Sequence, residues 1–218
     1  MSSTIKYQGR RARRESSKQR RRDILEATLR IIIRDGIRAV RHRAVAAEAG
    51  VPLSATTYYF KDIADLIADA FTLFAEQTLA EVVRPFQVQA LHIIKAMPAA
   101  LTAENKDELI QQLAEALSAY VLQGVNRREN IVAEHAFFQE AMMDERLTKV
   151  ANLFFAGQIQ VLVDACQSLQ APHPIYAAEL LYNQIVSWER TLILNANAYT
   201  ESELEQRICY LLRMVLAA

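Results

Sequence analysis

The fold is decided by residues 42–62, which read His42-Arg43-Ala44-Val45-Ala46-Ala47-Glu48-Ala49-Gly50-Val51-Pro52-Leu53-Ser54-Ala55-Thr56-Thr57-Tyr58-Tyr59-Phe60-Lys61-Asp62. A short helix is predicted over about 42–48, with Val45 and Ala46 turned inward, and Ala49-Gly50-Val51-Pro52 stops it. A second short helix runs from about Leu53 to Phe60. The turn between them needs a residue tolerant of positive φ, which Gly50 supplies, and Val51 then packs between the two helices. This is the spacing of a helix-turn-helix. An isolated helix shorter than about 12–15 residues is marginal in water, so the second helix must lean on the first and on whatever follows it.

The chemistry of the second helix suits a polyanion groove. Its early residues are small or hydroxylated, which permits close approach. Serine and threonine hydroxyls bond to phosphates or bases, methyl groups contact thymine, and tyrosine hydroxyls suit phosphate oxygens. Arg41, His42, Arg43 and Lys61 bracket the two helices with cationic groups. The candidate nucleic-acid contacts are therefore Arg41, His42, Arg43, Leu53, Ser54, Ala55, Thr57, Tyr58, Tyr59 and Lys61. Phe60 reads as core. A plain helical hairpin would account for residues 44–51 alone, so the weight rests on the combination with charge.

The 218-residue chain has 25 Lys/Arg and 25 Asp/Glu, and its zero net charge hides a strong polarity. Residues 1–61 hold 15 Lys/Arg against 5 Asp/Glu, a balance of +10, and residues 62–218 hold 10 against 20, a balance of −10. A basic part of this kind suits nucleic acid or an anionic membrane, and the acidic remainder would be repelled by the same surface.

Outward from the central stretch, residues 1–16 are polar and basic and read as a flexible arm. A first helix is expected from Ser17 to Asp35, with Ile24, Ala27, Thr28 and Ile31 at helical spacing and Gly36 as a left-handed cap. Asp62, with Asp65 three residues on, caps a long helix, and Pro85 marks a break or kink. Asn105 with Glu108, Asn126 with Glu129 and Thr200 with Glu203 read as capping boxes, and Pro174 suits a first helical turn. No convincing strand pattern occurs. The expected architecture is all-α: an arm over 1–16, a three-helix helix-turn-helix domain over 17–61, and a helical domain over 62–218.

Composition excludes several classes. With 52% hydrophobic residues the chain is not disordered, and 5 glycines with 5 prolines are too few for a turn-rich β-fold. Cys166 and Cys209 cannot form a disulfide framework or a cysteine zinc site, and suit a reducing compartment such as the cytoplasm. The longest uncharged apolar-rich run, Val150 to Val163, has 14 residues, short of the roughly 20 a membrane helix needs. No apolar core follows the basic N-terminus, so no secretory signal is expected, and residues 1–22 lack the apolar face of a transit peptide. His42, His92, His135 and His173 form no metal-ligand pair, and no phosphate loop or nucleophile elbow occurs. No cofactor or metal is expected, and an enzyme is the weaker class. The runner-up is a basic-arm helical scaffold or membrane-surface protein, although residues 1–22 lack the large apolar residues such a helix requires.

Residues 20–74 resemble the N-terminal domain of tetracycline-repressor (TetR) family transcriptional regulators. The resemblance rests on Arg22-Asp23-Ile24-Leu25-Glu26-Ala27, Gly36, Arg43 through Val51, Thr57 through Asp62, and Asp65-Leu66-Ile67. It departs from many relatives at Thr57, where an aromatic residue is common. The resemblance implies a homodimer that binds a palindromic operator in double-stranded DNA, usually as a repressor. It also implies a small-molecule effector pocket within residues 62–218.

Phe71, Phe74, Tyr120, His135, Phe138, Met142, Phe155 and Gln158 are the candidate lining of such a pocket, although most of these aromatics read first as core. Leu181, Ile185, Trp188 and Leu192 form one apolar stripe near the C-terminus, and Leu204, Ile208, Leu211, Leu212 and Val215 form another. Together they are the candidate dimer interface, as two helices of a four-helix bundle, or alternatively the cover of the subunit's own core.

Overall fold

Ile24, Leu25, Ala27, Thr28, Ile31 and Ile32 lie three and four residues apart, and all are buried along one face of helix α1 (Glu15–Asp35). The structure is a computed structural model that describes residues 7–10, 14–96 and 103–216. α1 starts two residues before the expected Ser17. Gly36 ends it by donating its N–H to the Ile32 carbonyl at 3.0 Å. Its backbone (φ 82°, ψ 165°) is not the left-handed helical cap expected, but lies in a region that is essentially glycine-only.

After a 3-10 turn (Ile37–Ala39) come α2 (His42–Glu48) and α3 (Leu53–Tyr59). The turn between them is a Schellman closure. Val51 N–H bonds to Ala46 O at 3.0 Å, Gly50 N–H to Ala47 O at 3.2 Å, and Gly50 takes φ 63°. Helix α4 (Ile63–Thr78) follows, with its first-turn N–H on Asp65 bonded to the Asp62 carboxylate at 2.8 Å, so Asp62 is the expected cap.

Chain disruption before Pro85 takes a particular form. A π-helical turn (Leu79–Val83) joins α4 directly to α5 (Arg84–Ala96), and Pro85, which has no N–H to give the helical ladder, follows it at once. Helices α6 (Ala103–Asn126), α7 (Arg128–Ala141), α8 (Glu145–Ser168), α9 (Pro174–Leu194) and α10 (Glu201–Leu216) complete the described residues. Two expected capping boxes are corrected: Asn105 lies inside α6, and Asn126 ends α6 instead of opening α7. The third forms as expected, with Thr200 N–H on Glu203 at 2.8 Å and Glu203 N–H on the Thr200 hydroxyl at 3.3 Å. Among the described residues there is no strand.

The compact units do not follow a boundary at residues 61/62. One comprises Met1–Thr78 with Glu129–Phe155, and the other Leu79–Arg128 with Ala156–Ala218. The physical reason for the first is aromatic packing. Phe71 of α4 stacks on Phe137 of α7 with centroids 4.5 Å apart, and Phe154 of α8 closes on Phe71 edge-on at 6.1 Å. The second unit is built on α6, which packs against both α9 and α10.

We expect Phe137→Ala to destabilise the first unit by about 3–5 kcal/mol, because its ring is fully buried between facing aromatics. Urea unfolding followed by circular dichroism measures this.

Candidate nucleic-acid interface

α3 is too short to hold itself, and its two faces divide sharply. The Thr56 hydroxyl donates to the Leu53 carbonyl at 2.8 Å, and Thr56, Tyr59 and Phe60 are buried. Leu53, Ser54, Thr57 and Tyr58 are exposed on the other face, and Ala55 is half-buried. Tyr59 is a correction to the expected contact set. Its ring is 5% exposed, whereas that of Tyr58 is 55% exposed. The sequence held the signal: residues three and four apart share a helical face, so an inward Thr56 carries Tyr59 and Phe60 with it.

The cations differ in how they are engaged. Arg22 pairs with Glu26 at 2.8 Å, and Arg30 and Arg34 both pair with Glu48, at 2.9 and 3.1 Å. Those two guanidinium hydrogen bonds hold the Glu48 carboxyl below its ordinary range. Arg43 and Lys61 are exposed and form no ion pair among the described residues. Uncompensated positive charge therefore stands at both ends of the α2–α3 element. Arg41 is exposed, but it donates to the Arg38 and Val40 carbonyls at 2.6 and 2.8 Å, closing the 3-10 turn. His42 is half-buried, its Nδ1 lacks a hydrogen-bond partner among the described residues, and burial lowers its pKa against the opposing charge of Asp62.

Sequence reasoning missed Arg146 at the start of α8. Its guanidinium reaches Asp65 at 3.1 Å, Asp62 at 3.4 Å and Asp144 at 3.0 Å, clasping the first turn of α4. The hydrogen bond from Asp65 N–H, with Arg146 nearby, lowers the Asp62 pKa, and the Arg146 hydrogen bond lowers that of Asp144. No spacing rule pairs residues so distant in sequence.

It also missed the seating of residues 7–10, which were expected to belong to a flexible arm. The Tyr7 hydroxyl donates to Glu76 at 2.6 Å, and burial with that carboxylate beside it pushes the Tyr7 pKa up. Gln8 and Gly9 donate their backbone N–H groups to the Asp69 carboxylate at 2.5 and 2.8 Å, and Arg10 N–H bonds to Tyr59 O at 2.9 Å. Asp69 is fully buried and also paired with Arg21. Burial raises its pKa, against the two N–H donors and the Arg21 charge that lower it. Residues 1–6 and 11–13 of the expected arm lie outside the described residues.

The expected pocket lining is divided between the two units. Phe71, Phe74 and Phe138 are packed ring against ring with Phe137 and Phe154 in the first unit. His135 and Phe155 are exposed, and Met142 is 78% exposed. In the second unit, Tyr120 lies on Phe86 at 4.6 Å, and the Gln158 amide nitrogen is buried without a partner among the described residues. A separate apolar cleft occurs in that unit, about 40 Å³ in volume, walled by Phe86, Leu113, Leu117, Leu162, Cys166 and Leu181. Burial there pushes the Cys166 thiol up to about 11.

For the two apolar stripes the structure takes the stated alternative, the cover of the subunit's own core. Leu181, Ile185, Trp188, Leu192, Leu204, Ile208 and Leu212 are buried in the second unit's own core, with Leu211 and Val215 packed against it. The opposite faces of α9 and α10 carry Tyr176, Leu180, Leu194, Tyr210 and Met214, all exposed.

A three-helix head with a Schellman turn, an exposed hydroxyl-rich second helix and flanking uncompensated cations defines an all-α helix-turn-helix DNA-binding protein. Residues 24–70 match the family model for bacterial regulatory proteins of the tetR family. None of the curated proteins matches the sequence. Among solved structures, a member of the TetR family from Streptomyces coelicolor A3 is 25% identical with a TM-score of 0.64, over 88% of this chain and 98% of that one. The multidrug binding protein EbrR complexed with imidazole is 23% identical with a TM-score of 0.59, over 88% and 94%. EbrR complexed with proflavin is 24% identical with a TM-score of 0.55, over 88% and 99%. Residues 24–70 are thus similar to the DNA-binding domain of tetR-family regulators, and the chain shares its fold with solved TetR-family structures.

Arg43→Ala and Lys61→Ala should each lower the salt dependence of DNA binding by about one unit of slope, read by fluorescence anisotropy at several salt concentrations. Tyr59→Ala should lower the unfolding free energy instead, by about 3 kcal/mol for a lost buried ring. The sign of the acid response follows from the lowered Asp62 and Asp144 pKa values. Their stabilising contribution is full above the ordinary value of 3.8 and is lost as pH falls through the lower folded values. Arg146→Ala should therefore make the loss of stability below pH 3.8 shallower in acid titrations followed by circular dichroism.

Proposed function

We propose that the protein is a cytoplasmic, ligand-responsive repressor that binds a palindromic operator as a homodimer and is released by a small apolar effector. The observation that carries this reading is the exposed face of α3, with Ser54, Thr57 and Tyr58 presented between Arg43 and Lys61. Ser54 and Thr57 lie three apart on one exposed face, with chemistry suited to base edges, and the two exposed cations suit phosphates. The residues proposed to touch DNA are Arg41, Arg43, Leu53, Ser54, Ala55, Thr57, Tyr58 and Lys61, with His42 packed behind them.

The dimer surface is the outward face of α9 and α10, not the inward stripe. Tyr176, Leu180, Tyr210 and Met214 form an exposed apolar set on two adjacent helices, which suits the isologous contact of a two-fold dimer. Two α3 helices would then address half-sites one turn of about 34 Å apart, or a multiple of it.

The effector site is the apolar cleft of the second unit. At about 40 Å³ it is far below the roughly 300–1,000 Å³ of a drug-sized pocket, so ligand entry requires a wall to yield. Of its walls, α5 buries only Ala90 along its length, which makes it the least anchored. The similar fold of EbrR, a multidrug binding protein, supports an organic ligand. One helix, α8, carries Leu162 and Cys166 in the cleft wall and Arg146 on Asp62 and Asp65, immediately after the recognition helix. A ligand that displaces α8 loosens the clasp at the head of α4. Such coupling is typically about 1–3 kcal/mol, or roughly 5–150-fold in operator affinity, and it is reciprocal.

Operator selected from a random duplex pool tests this reading. We expect a palindromic consensus, a dimer in sedimentation that Tyr210→Glu converts to monomer, and weaker operator binding at saturation with a compound found by thermal-shift screening. Arg146→Ala should reduce the ligand effect more than the affinity itself. A monomer at micromolar concentration contradicts the dimer. A compound shown to occupy the cleft without changing operator affinity contradicts the switch.

A further inference from the structure

Asp69 presents a problem that the helix-turn-helix alone does not explain. It is an acid in the middle of α4, with no exposure, beside Phe60 and Arg21. Burying a carboxylate is unfavourable unless charge and hydrogen bonds compensate it. Two of its compensating donors are the backbone N–H groups of Gln8 and Gly9, 61 and 60 residues earlier in the chain. Arg21 also lies over the Tyr7 ring at 4.5 Å and over Phe60 at 5.4 Å, so one guanidinium joins the segment, the acid and the end of the recognition helix. Gly9 is required by contact: a Cβ there would stand 2.8 Å from two ring carbons of buried Phe60 and 2.9 Å from an Asp69 oxygen.

The consequence of this seating is the position of Arg10. Its N–H is fixed on the Tyr59 carbonyl, and its guanidinium lies 4.3 Å over the ring of Tyr58, the exposed tyrosine of α3. A guanidinium stacked face-on keeps its N–H donors in the plane of the group, pointing past the ring edge, where a phosphate can accept them. Arg11, Arg13 and Arg14 follow at once in the sequence.

We propose that Tyr7–Arg10 is a seated part of the DNA surface, in which the Asp69 carboxylate holds the segment so that Arg10, stacked on Tyr58, contacts a backbone phosphate beside the recognition helix. Asp69 and Gly9 are positioning residues, and Arg10 is the contact. This rests on α3 as the recognition helix.

Full-length wild type, Arg10→Ala, Arg10→Lys, Gly9→Ala and Asp69→Asn are compared on a fluorescein-labelled mixed-sequence duplex across a salt series, with thermal melts as the folding control. Phosphate contacts are sequence-independent, so no operator is required. Arg10→Ala should lower the salt slope by about one unit. Gly9→Ala unseats the segment without removing a charge, and should lower the slope by a similar amount while Arg10 is still present. Arg10→Lys should recover most of the slope. Asp69→Asn should match Gly9→Ala, and if it fails to fold, Gly9→Ala decides alone. Wild-type slope and affinity in both Arg10→Ala and Gly9→Ala would overturn the proposal while leaving α3 as the recognition helix. Wild type that binds no duplex at low salt would overturn both.

Discussion

A seven-residue helix must be held from outside, and this constraint governs the first unit. α3 is held through Thr56, Tyr59 and Phe60, which turn inward and leave the remaining side chains for DNA. Its entry is fixed by the Schellman closure at Gly50, and its exit by the Asp62 cap one residue after Lys61. Its supports are themselves supported. Arg146 clasps the first turn of α4, and buried Asp69 ties residues 8–9 and Arg21 to the same helix. The recognition element is thus fixed by contacts that span up to 84 positions of sequence.

This organisation accounts for the shape of the first compact unit, which includes residues 129–155. The stacked rings of Phe71, Phe137 and Phe154 make α4 a shared wall. A helix so shared cannot belong to a partner domain alone, and the head of α4 reports on both α3 and α8.

The local pattern of the DNA-binding head was legible in the sequence because it depends on short-range rules. Periodicity gave α1, the stop at Ala49–Pro52 separated α2 from α3, Gly50 gave the turn, and Asp62 gave the cap. Tyr59 was misread because a tyrosine beside exposed Tyr58 looks alike in composition, and only the burial of Thr56 separates them. The seating of Tyr7–Arg10 and the Arg146 clasp were hidden because they are long-range pairings that no spacing encodes. In the second unit the apolar stripes of α9 and α10 were found, but their direction was not. An amphipathic stripe marks burial without saying whether the cover is the chain itself, and here it is α6.

The central claim is that the exposed face of a tertiary-held α3 meets DNA. Amide hydrogen exchange with and without duplex measures it most directly. The account predicts that the free protein already protects Phe60 and Val51 amides, whose bonds to Thr56 O and Ala46 O close the two ends of the element. On adding duplex, added protection should centre on residues 43 and 53–61. Unchanged exchange over 53–61, with new protection confined to another surface, would contradict it.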